Sequence, residues 1–167
     1  MLKHALAMNL PDNKLPGFYA QVIKALAGKI RLFDRDKEVL IVETLTEAET
    51  VADVLNHYHV EWDPLDLLLL PEAAELTPAF SDYGLISVMR RAYLYAELVS
   101  IFRLAAEPAE GAEPVQALMQ MDEHLLARFE WNGEPHYAVD AQLSELIERI
   151  AAAYRCRADF ITVPASL

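Results

Sequence analysis

Apolar positions recur at helical spacing near the start of the chain. Between Pro16 and Gly28, Phe18, Val22, Ala25 and Lys29 fall on one stripe and Tyr19, Ile23, Leu26 and Ile30 on the next. This predicts a buried helix opened by the proline and closed by the glycine. Residues 29–34 and 38–44 then read as a hairpin across Asp34-Arg35-Asp36-Lys37. Val39–Val42 is apolar at every position, as expected of a central strand covered on both faces. Thr46-Glu47-Ala48-Glu49 fits a capping box, opening a helix that ends near His59, with Val51, Leu55 and Tyr58 on its inner face. Residues 61–80 carry Pro64, Pro71 and Pro78 and resist any long element.

The longest apolar stretch, 81–106, reads as one helix capped by Ser81 or Asp82. It is apolar almost all round, so the rest of the fold or a partner must cover it. Residues 107–114, EPAEGAEP, read as a surface loop. Residues 125–131 and 135–139 form a second hairpin around Asn132-Gly133. A two-residue turn sets Trp131 across from Glu134. A three-residue loop instead puts Phe129 and Trp131 on one face with Tyr137 and Val139, and that register is expected because a one-residue slip costs a buried face. Pro135 marks its strand as an edge. Asp140 caps an amphipathic helix with Leu143, Leu146, Ile147, Ile150 and Tyr154 inward, and residues 159–163 form a last strand. The expectation is a single α+β domain over 1–167. It has about five short strands in two hairpins and four or more helices, one of them long and largely buried.

Charge changes the picture most. Fourteen Lys and Arg stand against 26 Asp and Glu, for a net charge of −12. The sign is uneven along the chain: 1–37 is basic, 38–89 holds eleven acidic residues and no Lys or Arg, and 90–167 is moderately acidic. This balance repels phosphates, so direct nucleic-acid binding is not expected, whereas a basic protein or nucleoprotein surface is attracted and steered. On the helix opened near Thr46, Glu49 and Asp53 are four residues apart, with Glu47 before them and Glu61, Asp63 and Asp66 in the segment that follows. These six residues are the candidate partner-binding patch.

Catalytic chemistry leaves weaker marks. The five glycines make no phosphate-binding loop, and neither a nucleophile elbow nor a Cys-x-x-Cys pair occurs. Asp53 and His57 could share a metal at i, i+4, with His59 joining only if the helix has ended. The alternative is a helix C-terminus where imidazolium meets the dipole. Cys156, flanked by Arg155 and Arg157, could be activated if His124 or His136 approached it, but a core role suits a lone cysteine better. The carboxylate pairs Asp63/Asp66 and Asp122/Glu123 are what chance supplies among 26 acids. Arg90 and Arg91 are expected to pair with the acidic segment. No catalytic residue, metal or cofactor is therefore expected.

One cysteine, no signal-peptide pattern and no 18-residue uncharged apolar run suggest a cytoplasmic protein without a membrane span. The leading functional expectation is an acidic interaction module that inhibits a partner by occupying its basic surface. Small acidic proteins of mobile elements, anti-CRISPR proteins among them, and toxin antidotes share this profile by composition alone. The alternatives are a small enzyme or ligand-binding domain with a site assembled from distant residues, and an assembly subunit that forms a homodimer through helix 81–106.

Overall fold

The computed structural model describes residues 1–11, 17–106 and 111–162. They fall into two compact units, the first holding 1–69 with 86–93 and the second 70–85 with 94–162. In chain order the elements are β1 (Leu2–Asn9), α1 (Phe18–Ala27), β2 (Asp34–Asp36), β3 (Val39–Val42), α2 (Leu45–His57), β4 (Glu61–Leu69), β5 (Glu75–Leu76), β6 (Gly84–Ile86), β7 (Ala92–Tyr95) and β8 (Val99–Ala106). These are followed by α3 (Pro114–Met121), β9 (Leu125–Trp131), β10 (Glu134–Asp140), α4 (Ser144–Ala153) and β11 (Cys156–Ile161). The strands form a six-stranded sheet, β2-β3-β1-β4-β7-β6, and a five-stranded sheet, β11-β8-β10-β9-β5.

The described chain is thus mostly β-sheet with four short helices, which overturns the expected α+β arrangement with about five strands and one long helix. The error lies in residues 81–106. That segment contains β6, β7 and β8, separated by a tip in which Arg90 N–H donates to the Ser87 carbonyl and by a turn in which Leu98 N–H donates to the Tyr95 carbonyl. A strand buried on both faces is apolar at every position, and so is a buried helix. The aromatic and β-branched residues here, Tyr93, Tyr95, Val99, Ile101 and Phe102, favour the strand. Without the helix, the argument for a dimer built on it falls. Residues 61–80, too proline-rich for a long element by the sequence pattern, supply the nine-residue β4, which passes through Pro64 opposite Leu6.

In the first unit β1 lies between β3 and β4, with His4 opposite both Val42 and Asp66. Alternation then sorts the side chains. Leu6, Met8, Leu40 and Val42 face α1 and α2 in a core with Val22, Leu26, Val51 and Leu55. Asp34, Ala5 and Ile41 lie on the opposite face, by the register of β2, β3 and β1. The sheet curls until its ends meet: Val88 N–H donates to the Arg35 carbonyl at 2.9 Å. Asp34 closes the same seam. Its Oδ2 accepts from Ser87 Oγ (2.5 Å) and Tyr93 Oη (2.9 Å), and its Oδ1 from Arg35 N–H (2.8 Å). Arg91 Nη1 stands 3.9 Å from Oδ2 and lies over the Phe33 ring, so the pairing expected for an arginine of this tip is with Asp34, outside the acidic run 38–89. Val39–Val42 is the inner strand β3, as its pattern indicates, but the hairpin is shorter than the sequence suggests, with Lys37 in the left-handed region at its turn.

Helix α2 starts two residues earlier than expected. Thr44 is the N-cap, Glu47 N–H donates to Thr44 Oγ1, and the Glu47 carboxylate accepts from the N–H groups of Glu43 and Thr44. Both Thr44-x-x-Glu47 and Thr46-x-x-Glu49 satisfy the capping pattern, and the first is used. The helix ends at His57, and His59 takes the left-handed conformation that usually falls to glycine, while Val60 N–H returns to the Leu55 carbonyl. The expected opening of α1 at Pro16 lies outside the described residues.

In the second unit α3 and α4 cover a core of Phe102, Ala117, Met121, Leu125, Val139, Ile147, Ala151 and Cys156. The hairpin register corrects the sequence reading. Trp131 pairs with Glu134 and Phe129 with His136, across a two-residue turn with Asn132 and Gly133 both at positive φ. His136 is buried between the Phe129 and Trp131 rings and so behaves as a core residue. A bulge between Ala138 and Val139 then shifts the ladder by one, setting Val139 opposite Leu125. Turn and core are both satisfied, at the expense of one unpaired residue. Strand β10 is not an edge, since it lies between β8 and β9. Its ladder with β9 begins at Glu134 but that with β8 only at Tyr137, and Pro135, lacking an N–H, falls in the gap. Asp140 caps a short 3-10 turn at Ala141–Leu143 ahead of α4 rather than α4 itself. On α4 the buried residues are Ile147 and Ala151, while Leu146 is exposed. The last strand, β11, starts three residues earlier than expected and ends at Ile161, before Thr162; Val163, and loop residues 107–110, lie outside the described residues.

Candidate functional site

Helix α2 does not cover its sheet completely. Beside it, a cavity of about 510 Å³ opens over β1 and β4, lined by apolar side chains including Leu6, Leu45, Ala48, Ala52, Trp62 and Pro64. Three polar groups share the lining: His4, Glu49 and Asp66. His4 is buried, and its Nδ1 lies 3.0 Å from Asp66 Oδ1, a pairing set by their opposite positions on β1 and β4. The Trp62 indole is held by its Nε1–H donating to Asn56 Oδ1 at 3.0 Å. Among the described residues no Lys or Arg lines this cavity.

The six predicted acids do not share one face. Alternation along β4 puts Glu61 and Asp63 on one side of the strand and Trp62, Pro64 and Asp66 on the other. Glu49 and Asp66 meet at the apolar cavity. Glu61 and Asp63 line a second cleft of about 600 Å³ with Asn9, Asn56 and His59, where Asn9 Nδ2 donates to Asp63 Oδ2. Asp53 is exposed on α2, and Glu47 is occupied in the capping box. Sequence reasoning missed His4 and Trp62. The signal was the period-two series Leu2, His4, Leu6, Met8, which marks β1 as a strand and carries His4 onto the helix-covered face.

Folding also moves the charge. The first unit has eleven Asp and Glu against nine Lys and Arg, the second fifteen against five. The acids of 38–69 therefore share a unit with most of the basic residues, and Lys3 Nζ reaches Glu43 at 2.9 Å. The excess lies in the second unit, where α3 holds out Val115 and Met119, 65% and 73% exposed and four residues apart. A cleft of about 500 Å³ beside them is lined by Leu118, Asp122 and Arg128, the last two ion-paired. It adjoins another of about 420 Å³ that includes Glu75, Glu130 and Tyr137.

Two of the remaining candidates have neighbours within the fold. Cys156 is buried in the α3–α4 core, and its thiol donates to the Tyr154 carbonyl at 3.5 Å. His57 stacks edge-on against Tyr58 in the last turn of α2. Among the described residues no group of three His, Cys, Asp or Glu could hold a metal ion. Asp34 is a buried carboxylate whose donors come from the fold itself, and the Tyr93 hydroxyl is pushed far up by burial and by its bond to that carboxylate. Comparison with protein-family models, with curated proteins and with solved structures finds no match for this chain. Among the described residues no helix is long and apolar enough to cross a membrane.

Proposed function

We propose that the protein is a binding module whose second unit occupies a basic surface of a protein or nucleoprotein partner. The observation that carries this reading is the coincidence of the unit's charge, fifteen acids against five arginines, with the two most exposed large apolar side chains of the described chain, Val115 and Met119. Exposed apolar side chains bordered by charge are the usual composition of a protein interface. Carboxylates around them speed encounter with a basic partner. A partner surface of that sign ordinarily holds nucleic acid, and the module then inhibits by competing with phosphates, as an anti-defence protein of the anti-CRISPR kind would. The reading places the protein in the cytoplasm and needs neither cofactor nor catalytic residue.

The test is capture from the native host with the wild-type protein and with a Val115→Lys/Met119→Lys variant, followed by association kinetics of the purified pair. A partner with a basic surface should be captured by the wild type alone, with an association rate that falls steeply as salt rises. Equal capture by the variant, or an association rate indifferent to salt, refutes the reading.

A further inference from the structure

We infer that the cavity between α2 and β4 in the first unit is a separate binding site for a small organic cation with an apolar body. Its volume, about 510 Å³, lies within the range of small-molecule sites, and its lining is mostly apolar with a few convergent polar groups, as such sites require. The sign of the ligand follows from those groups. Glu49 and Asp66 are carboxylates, the neighbouring base is the imidazole already bonded to Asp66, and among the described residues no Lys or Arg lines the cavity beside them. Trp62 adds an indole, the side chain whose face best attracts a cation, and its bond to Asn56 fixes the ring at the cavity wall. Leu45, Ala48 and Ala52, on the α2 side, and Pro64 receive the apolar body. An anion would face two carboxylates with no cation of equal strength, and a neutral ligand would leave the Glu49 carboxylate with no opposite charge and Asp66 with His4 alone.

The site is distinct from the α3 surface of the second unit and is tested without reference to it. The probes are 4-phenylbutylamine, 4-phenylbutanol and 4-phenylbutyrate, which share one apolar body and differ in charge at pH 7. Binding is read from Trp62 emission in a Trp131→Phe background, with far-UV circular dichroism as a check on folding. The amine should bind saturably, the alcohol roughly tenfold more weakly given two partly exposed carboxylates and one indole, and the butyrate not measurably. Glu49 is exposed on α2, so Glu49→Lys should leave the fold intact while abolishing the preference for the amine and admitting the butyrate. Equal affinity for the three probes, no saturable binding of the amine, or an unchanged preference in the folded Glu49→Lys variant would overturn the assignment.

Discussion

Removing the donors to Asp34 tests whether the seam of the curled sheet rests on one buried carboxylate oxygen. Oδ2 accepts from Ser87 Oγ and Tyr93 Oη, and its remaining neighbour, Arg91 Nη1, is 3.9 Å away. Tyr93→Phe keeps the fully buried ring and deletes one hydrogen bond to a charged acceptor, which should cost roughly 1.5–3 kcal/mol. Ser87→Ala should cost a similar amount by the same reasoning. The double variant leaves Oδ2 buried with no close donor, so the losses should exceed additivity by roughly 0.5–3 kcal/mol. Urea titration followed by Trp62 emission, in a Trp131→Phe background, reads the first unit. A second readout is pH. The Tyr93 hydroxyl titrates above its ordinary value of 10 because of burial first and Asp34 second, so the folded state holds that proton. The difference between wild type and Tyr93→Phe should be full below pH 10 and shrink as pH rises beyond it. Additive losses, or a Tyr93→Phe cost under about 0.5 kcal/mol, would mean that Asp34 finds its compensation elsewhere.

Two further outcomes follow from local geometry. Thr44→Ala should destabilise the first unit by about 1 kcal/mol in the same titration, because Thr44 Oγ1 accepts the Glu47 N–H, whereas Thr46→Ala should cost no more than about 0.5 kcal/mol. In the second unit Tyr83 Oη donates to Asp140 Oδ2 at 2.6 Å, and this bond, with a second from Gln142 N–H, holds the Asp140 carboxyl below its ordinary 3.8. The stabilisation is present above pH 3.8 and lost as pH falls through the lower folded value, so melting temperatures of wild type and Tyr83→Phe should differ at neutral pH and converge at acid pH. A gap independent of pH would deny the linkage.

Local signals were legible where chemistry at a few positions decides the structure. The Asn132-Gly133 turn, the helix that carries Ile147, and a capping box at the head of α2 all stand in the sequence. The errors arose where two rules competed. The two-residue turn and the apolar face of Val139 demanded different registers, and the chain meets both by a bulge that no pattern of apolar positions announces. Residues 81–106 were apolar at every phase, so periodicity could not separate a buried helix from buried strands, and only the β-forming side chains and the Ser87–Arg91 tip pointed the right way. His136, which the sequence suggests only as a possible partner for Cys156, instead packs its ring against Phe129 and Trp131.

Charge was misplaced for a different reason. The run 38–89 is continuous in sequence, but a strand turns its side chains alternately and a sheet recruits neighbours from far along the chain. Glu43 meets Lys3 from β1, Asp66 meets His4, and Glu47 is consumed in capping α2. Among the described residues Asp34, outside the run, is the acid that the fold buries. Once the basic segment 1–37 and Arg90 and Arg91 share a unit with most of those acids, the first unit is nearly balanced. The unopposed charge then belongs to residues spread from Glu72 to Asp159. A linear window cannot register that sum, because long-range steering depends on charges gathered in space over about a Debye length, roughly 8–10 Å. The same logic gives the two acidic sites different work. Around α3 the excess belongs to a whole unit, and on the proposed reading it would act at long range on a large partner. At Glu49 and Asp66 only two carboxylates face an apolar cavity, so on the inference drawn above they would act at contact, on a ligand small enough to enter.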